Sequence, residues 1–158
     1  MTVTLRPITS ENWRAVYRLT KTLTPQQQGY LAPNDFSLLE ARYEPEVFSP
    51  RAICAAVDGA ETPVGFLMTG YDTENHRHWL VRFMIGGEYH RKGYGRAALR
   101  ILTDEYKALP NCDAVFVAIE QSNDVGKAFY ASLGFLDTER IVDANCIYRL
   151  PLRESTVS

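Results

Sequence analysis

The chain has 158 residues, of which 46% are hydrophobic and 23% are charged. That length and composition suit one hydrophobic core, so residues 1–158 are predicted to form a single globular domain. The 19 acidic residues nearly balance the 17 basic ones, which argues against disorder and against nonspecific binding to nucleic acid. Arg dominates the basic residues, and its planar guanidinium suits contacts with phosphate and carboxylate groups.

Three elements are predicted before residue 50. Residues 2–8 alternate polar and apolar side chains, as a half-buried strand does. A helix follows, for which Thr9 or Ser10 is the expected N-cap. Ser37 and Glu40 have the spacing of a capping box, in which each side chain bonds the other residue's backbone N–H, so a second, short helix is predicted to start there.

Strands and then alternating helices are predicted from residue 51 onward, where the apolar period changes from about 3.6 to 2. The predicted strands are residues 52–57, 64–71, 79–85, 114–119, 135–141 and 147–150. The predicted helices are residues 96–109 and 124–133. Helical crossovers imply parallel pairing in the second half, whereas the first half is an antiparallel meander. The predicted fold class is α+β, with a mixed sheet of about seven strands and about four helices.

Residues 84–96 are the most informative segment, because a strand passes there through a basic loop into a helix N-terminus. Such a turn directs backbone N–H groups and the positive end of the helix dipole at one point, where phosphate is favoured. Gly93 and Gly95 allow close backbone approach, and Arg91, Lys92 and Arg96 supply cations. The segment predicts an anion-binding loop; a tight turn with solvated basic side chains is the alternative.

Two familiar phosphate motifs do not account for this loop. A Walker A motif requires GxxxxGK[ST], which is absent here, so kinase and NTPase chemistry is disfavoured. The dinucleotide fingerprint matches Gly93, Gly95 and Ala98, with Asp113 twenty residues after the first glycine. In a Rossmann unit, however, the glycines begin at the strand end and the acidic residue ends the next strand. Here residues 86–92 intervene and Asp113 precedes its strand, so this geometry fails.

Two segments resemble the signatures of the GNAT superfamily of N-acetyltransferases. The segment from His90 to Gly95 is similar to (Gln/Arg)-x-x-Gly-x-(Gly/Ala), with His90 in place of Gln or Arg. The segment Asn123-x-x-Gly126-x-x-Phe129-Tyr130-x-x-Leu133-Gly134-Phe135 is similar to the second signature, with Gly126 where Ala is common. Residues 36–45, 50–53 and 82–85 further resemble bacterial spermine/spermidine (diamine) acetyltransferases.

The resemblance implies a GNAT-like fold, acetyl-CoA as co-substrate, and a thioester held between the predicted strands 79–85 and 114–119. A backbone N–H near Met84 or Ile85 is then the expected oxyanion donor. Tyr130 is the expected general acid, and Asn123 is expected to bind the pantetheine or to orient water. The residues expected to bind the cofactor are Phe83, Met84, Ile85, His90, Arg91, Lys92, Gly93, Tyr94, Gly95, Arg96, Asn123 and Tyr130.

The general base and the acceptor are less constrained. Residues 78–85 contain no carboxylate, which leaves Glu88, Glu120 or a water chain as the base. A polycationic acceptor requires acidic and aromatic groups. The acceptor-binding candidates are Tyr17, Glu40, Glu44 and Trp79, with Tyr30 among further aromatic side chains. A solvated acidic face above core aromatics is the alternative interpretation.

The predicted function is acetyl transfer from acetyl-CoA to a primary amine of a small polyamine, by direct attack in a ternary complex. The alternatives are another acceptor amine (an amino acid, an aminoglycoside, a protein N-terminus or a lysine) and a non-catalytic acyl-CoA-binding sensor. No metal is expected, because His76 and His78 lack completing ligands. Three scattered cysteines and the lack of a signal peptide or long apolar run predict a cytoplasmic protein without membrane contact. The superfamily resemblance also allows a homodimer formed through residues 142–150.

Overall fold

The computed structural model describes residues 2–30 and 32–153. Met1 and residues 154–158, the ends of the predicted domain, lie outside the described residues. Within those ranges the elements are β1 (Val3–Pro7), α1 (Trp13–Leu19), α2 (Pro25–Gln28), α3 (Asn34–Tyr43), β2 (Phe48–Val57), β3 (Ala60–Asp72), β4 (Arg77–Ile85), α4 (Tyr94–Lys107), β5 (Ala114–Glu120), α5 (Asp124–Ser132), β6 (Leu136–Val142) and β7 (Asn145–Pro151).

All seven of these strands form one sheet, in the order β1-β2-β3-β4-β5-β7-β6. Neighbouring strands are antiparallel except β4 and β5, which are parallel. A parallel pair requires a crossover connection, and α4 supplies it. The predicted α+β class with a mixed seven-stranded sheet is therefore confirmed.

Alternating side chains of the strands face two helical layers. Ile53 and Leu67 are fully buried in the layer formed by α4, with aromatic residues of α5 packed against it. Ala52 and Phe66, one residue earlier on each strand, are fully buried in the layer of α1 and α3. The period of two along each strand thus places α1 and α3 on one face and α4 and α5 on the other.

The helices differ from the prediction in number and in several boundaries. The expected N-cap at Thr9 or Ser10 is wrong, because α1 begins at Trp13 with Asn12 as its N-cap, and α4 begins at Tyr94, two residues before the predicted start. A capping box forms at Thr24 and Gln27, where Gln27 N donates to Thr24 Oγ1 at 3.2 Å and Thr24 N donates to Gln27 Oε1 at 2.9 Å, and it begins the unpredicted α2. The predicted capping box at Ser37 is wrong, because α3 begins at Asn34. Ser37 is buried inside α3 and its hydroxyl donates to Pro33 O at 3.3 Å, so it is unavailable as a cap.

Candidate active site

The sheet opens between β4 and β5. These strands pair only where His78–Leu80 meet Val115–Val117. β4 nevertheless continues to Ile85 and β5 to Glu120. Beyond the paired segment, no strand of the described residues lies between the facing edges of β4 and β5, so the sheet leaves backbone groups on these edges unpaired.

A β-bulge in β4 lies where the two strands separate. Leu80 pairs with Thr69 and Arg82 pairs with Met68, so Val81 has no partner residue in β3. A bulge bends its strand and increases the local twist. The bulge at Val81 therefore turns the end of β4 away from β5.

A cleft of about 970 Å³ lies beside this opening. Its lining includes all the residues expected to bind the cofactor except Lys92. They are Phe83, Met84 and Ile85 of β4; His90, Arg91, Gly93, Tyr94, Gly95 and Arg96 of the following loop and helix; and Asn123 and Tyr130 at α5. The two predicted motifs, which are separate in the chain, thus share one cavity with the end of β4, although their contacts with a ligand stay a prediction.

The start of α4 forms one end of the cleft. Its N-cap is Gly93, whose φ of 83° lies in the left-handed region, and no side chain caps the helix. The first turn contains no acidic residue. The N–H groups at residues 94–96 and the positive end of the dipole are therefore uncompensated by side chains beside the cleft, which favours an anion there.

The side chains of the loop divide between the cleft and the protein. Arg91 is exposed and lines the cleft, whereas Lys92 is exposed but lies outside the lining. Arg96 lines the cleft and also donates to Ser132 Oγ at 2.9 Å, which links α4 to α5. His90 Nε2 lies 2.6 Å from the carbonyl oxygen of Ile85, and a carbonyl only accepts, so Nε2 is the donor.

Tyr130 of α5 lies among aromatic side chains at the cleft. Its ring makes edge contacts with Phe83, Phe129 and Phe135, at centroid distances of 6.4, 5.3 and 5.3 Å. Burial raises the pKa of the Tyr130 phenol, so the hydroxyl stays protonated at neutral pH. Among the described residues no side chain or backbone group is hydrogen-bonded to Tyr130 Oη, which leaves this donor available.

Asn123 and Gly126 explain the departure from alanine in the second motif. Asn123 is the N-cap of α5, and its Oδ1 accepts from Gly126 N at 2.9 Å. A Cβ at position 126 would lie 2.5 Å from Asn123 Nδ2. Glycine at position 126 therefore leaves space for the Asn123 amide, whose oxygen accepts from the helix backbone. Asn123 also lines the cleft.

The two acidic residues predicted for the acceptor lie outside the cleft lining. Glu40 on α3 accepts from Arg82 Nη2 of β4 at 3.3 Å, so its charge is neutralised within the protein. Glu44 follows the end of α3 and is exposed. The face of α3 on which Glu40 lies is directed at the sheet, which helical spacing alone did not reveal.

The two aromatic residues predicted for the acceptor also lie outside this lining. The Tyr17 ring is covered by Lys21 Nζ, 4.7 Å from the ring centroid. Trp79 packs against Phe116 with ring centroids 5.3 Å apart. Both rings therefore contribute to packing on the surface of the fold.

The segment around α2 forms a wall of the cleft that the sequence analysis missed, apart from Tyr30. Its lining residues are Leu23, Thr24, Gln26, Gln27 and Tyr30. Tyr30 Oη donates to Ser122 O at 3.5 Å and so connects this segment to the end of β5. The Thr24-Pro25-Gln26-Gln27 sequence carried a capping-box signal that would have identified α2, but no sequence signal shows that α2 faces the cleft.

Neither carboxylate considered as the general base lines the cleft. Glu88 is exposed in the short turn after β4. Glu120 accepts from Ser122 N at 2.8 Å and from Ser122 Oγ. The choice among Glu88, Glu120 and a water chain stays open, since neither side chain contacts the cavity directly.

Across residues 2–30 and 32–153, no three His, Cys, Asp or Glu side chains converge in a way that could hold a metal ion. In the same part of the chain, none of the helices combines the length and apolarity needed to cross a membrane. Cys54 and Cys112 are buried free thiols, and burial raises the pKa of each.

Solved acetyltransferase structures share this fold. An acetyltransferase from Thermus thermophilus aligns with a TM-score of 0.75 at 19% identity, covering 96% of this chain and 97% of that one. The PaiA N-acetyltransferase from Thermoplasma acidophilum, solved in complex with coenzyme A, aligns with a TM-score of 0.64 at 16% identity, covering 96% and 99%. This chain therefore shares its fold with these two acetyltransferases.

The sequence comparisons establish the family. Residues 13–135 match the model of the Acetyltransferase (GNAT) family, and the chain belongs to that family. The Spermine/spermidine N(1)-acetyltransferase of Bacillus subtilis (strain 168) is 27% identical over 141 residues, 85% of this chain and 88% of that protein. The expected family is thus confirmed, and the protein is an N-acetyltransferase.

Proposed function

We propose that this enzyme transfers the acetyl group of acetyl-CoA to a primary amine of a small polyamine, such as spermidine or spermine, within a ternary complex. The observation that supports this proposal most directly is the cleft. It joins the start of α4, which has no side-chain cap, the open edge of β4, and the Tyr130 hydroxyl, which has no hydrogen-bond partner among the described residues. The relative named for spermine and spermidine supports the acceptor class.

The donor binds along the cleft from the α4 loop to the edge of β4. The pyrophosphate lies at the N–H groups of residues 94–96, with Arg91 and Arg96 supplying positive charge and Lys92 a more distant cation. The pantetheine follows the open edge of β4, towards which Phe83 and Ile85 direct their backbone groups. The backbone groups of Met84 face β3 instead, since Gly86, two residues further on, donates to Val64 O of β3. The CoA-bound state of the Thermoplasma structure supports this assignment of the cofactor class.

Acetyl transfer is then direct. The lone pair of the neutral amine attacks the thioester carbonyl carbon, and the backbone N–H of Ile85 stabilises the developing oxyanion, because the N–H of Met84 faces β3. As the C–S bond breaks, the Tyr130 hydroxyl donates to the departing sulfur. CoA departs as the thiol with the proton from Tyr130. The new ammonium releases a proton through a water chain or through Glu88 or Glu120, and the Tyr130 phenolate regains one proton from solvent, so the neutral amine and acetyl-CoA give the acetylated amine and CoA with no net change in protons.

The acceptor approaches past the α2 wall. Tyr30 and Tyr89 place aromatic surface at the cavity, and aromatic faces attract cationic amines. Asp124 adds a largely exposed carboxylate to the same lining, with Lys127 Nζ 4.0 Å from its Oδ1, the outer limit of an ion pair. These residues support a cationic acceptor in place of Glu40, whose charge Arg82 already neutralises.

An amine panel tests the proposal. The purified enzyme is supplied with acetyl-CoA and with spermidine, spermine, short diamines, amino acids, an aminoglycoside or a peptide with a free N-terminus, and free thiol is measured. We expect kcat/KM for spermidine or spermine to exceed that for the other amines by at least about tenfold, the ratio that 1.4 kcal/mol of preferential transition-state binding gives. A peptide or amino acid as the best acceptor would overturn the polyamine assignment, and CoA binding without transfer would favour a sensor.

We also propose a cytoplasmic homodimer formed through the C-terminal strands. β6 is the terminal strand of the sheet and exposes Leu136, Ile141 and Val142. An uncovered edge strand with apolar side chains favours pairing with another chain. Light scattering during size-exclusion chromatography tests this, and a monomeric mass at micromolar concentration would refute it.

A further inference from the structure

An ion pair connects α3 to the bulge of β4. Arg82 Nη2 donates to Glu40 Oε1 at 3.3 Å, and Arg82 Nη1 donates to the carbonyl oxygen of Val81 at 2.9 Å. Both side chains are only 22% exposed. One guanidinium therefore holds a helix and the bulged residue at which β4 turns away from β5.

The pair is more than a solvated surface contact. Arg82 Nε is buried and has no hydrogen-bond partner among the described residues. Partly buried charges lose hydration, and removing one partner leaves the other without compensation. Removal of either Glu40 or Arg82 is therefore expected to change the local structure around β4.

A second contact connects α3 to the same strand. Asn34, 1% exposed at the start of α3, donates through Nδ2 to Val16 O at 2.8 Å and lies 3.6 Å from Met84 Sδ. Met84 is buried in the layer of α1 and α3, whereas Phe83 and Ile85 pack against the opposite layer. The segment from Val81 to Ile85 is thus held by α3 on one side while its open edge borders the cleft.

We propose that Glu40 and Arg82 are positioning residues that hold the bulged end of β4 in the geometry required for acyl transfer. This inference rests on the proposed function, because it assigns the acetyl group to the edge of β4. Donors that stabilise an oxyanion act only when they are correctly placed, and misplacement by about 1 Å can cost 10²-fold in rate. Binding of the CoA phosphates depends on the separate loop at residues 90–96, so the pair affects turnover more than affinity for CoA.

A matched control exists on another part of the sheet. Arg51 of β2 donates to both carboxylate oxygens of Glu105 on α4, at 2.9 and 2.8 Å, and its side chain is 21% exposed. Arg51 Nε is likewise buried without a partner in the described part of the chain. Loss of this pair has the same kind of structural cost, but the pair joins β2 to the last turn of α4 and not α3 to the bulge of β4.

The test compares Arg82→Met and Glu40→Met with Arg51→Met and Glu105→Met. Measurements are kcat and KM for acetyl-CoA, the Kd for CoA by calorimetry, the thermal midpoint, and NMR amide exchange at residues 81–85. We expect kcat to fall about tenfold in the first two variants, with Kd within about twofold, because orientation but not binding is lost. Amide exchange at residues 81–85 should accelerate only in these variants, and the double variant should be no slower in turnover than the worse single one.

The inference would be overturned if the test and control variants had equal kcat when compared at equal folded fraction. It would also be overturned if the decreases in kcat of the two single variants multiplied in the double variant of Glu40 and Arg82. Amide exchange requires no turnover, so it tests whether the pair holds residues 81–85 even in an enzyme that does not acetylate polyamines. A wild type that fails to acetylate polyamines would refute the proposed function alone. If Arg82→Met does not fold, Arg82→Lys is used, since one ammonium is not expected to reproduce both guanidinium contacts. The same readouts and the same outcomes then apply.

Discussion

Replacing Tyr130 by phenylalanine isolates the hydroxyl assigned as the acid. The ring contacts with Phe83, Phe129 and Phe135 are retained in this variant. Because Tyr130 Oη has no hydrogen-bond partner among the described residues, its loss breaks no contact of the fold, and the free energy of unfolding should change by less than about 0.5 kcal/mol. Any effect should therefore appear in catalysis.

The magnitude follows from the acidity of the phenol. General acid catalysis contributes about 10²- to 10⁴-fold. Burial raises the pKa of Tyr130, which makes it a weaker proton donor, so the lower end of that range applies. We expect kcat to fall about 10²-fold, equivalent to about 2.7 kcal/mol, while the Kd for CoA stays within about twofold.

Steady-state thiol release and calorimetric CoA binding measure the two quantities. Tyr148→Phe is the matched control, because Tyr148 is also a buried tyrosine whose pKa is raised by burial but it does not line the cleft. Its kcat should equal that of the wild type. A Tyr130→Phe enzyme that keeps more than half of the wild-type kcat would refute the role of the hydroxyl.

Three further outcomes are expected. Gly93→Ala and Gly59→Ala both place a side chain at a residue with positive φ, 83° and 81° respectively, so the thermal midpoint should fall in both variants. Only Gly93→Ala should also weaken CoA binding, by about tenfold when the Kd is measured by calorimetry. Asn123→Ala should lower the free energy of unfolding, measured in urea, by about 1 kcal/mol, because the N-cap of α5 is lost. Asn123→Asp keeps the oxygen acceptor, so its free energy of unfolding should fall less. Equal decreases in the two variants would contradict the capping role. Burial lowers the pKa of His78 below 6.5, so the folded state binds fewer protons than the unfolded state between the two pKa values. Stability should therefore rise with pH through that window and fall as pH drops below about 6.5, and His78→Phe should flatten this dependence in urea titrations from about pH 5 to 7.5.

The elements with strong local signals could be predicted from the sequence. The seven strands follow from apolar alternation or from continuous apolar runs such as that of β5. The anion loop follows from Gly93 and the basic residues beside a helix start. These features depend on neighbours within a few positions, so a single sequence contains the required information. α2 was missed because its four residues are too few for a periodic pattern, and Ser37 was misassigned because a burial that only the tertiary structure creates removed it from the helix terminus.

The acceptor side could not be predicted in the same way. Helical spacing identified Glu40 as an acidic residue on α3 but could not show which face of α3 meets the sheet. Arg82, its partner, lies 42 positions further along the chain. Tyr30 lines the cleft beside Ser122, which lies 92 positions away in the chain.

The sequence by itself determined the family, the mixed sheet and the loop that favours an anion, because each rests on local propensity or on short motifs. The tertiary structure decided where β4 separates from β5, which wall α2 forms, and that Glu40 braces β4. Those features depend on packing between segments that are distant in the chain. The sequence of one segment alone does not show which surface it buries or which charge it pairs with in another segment.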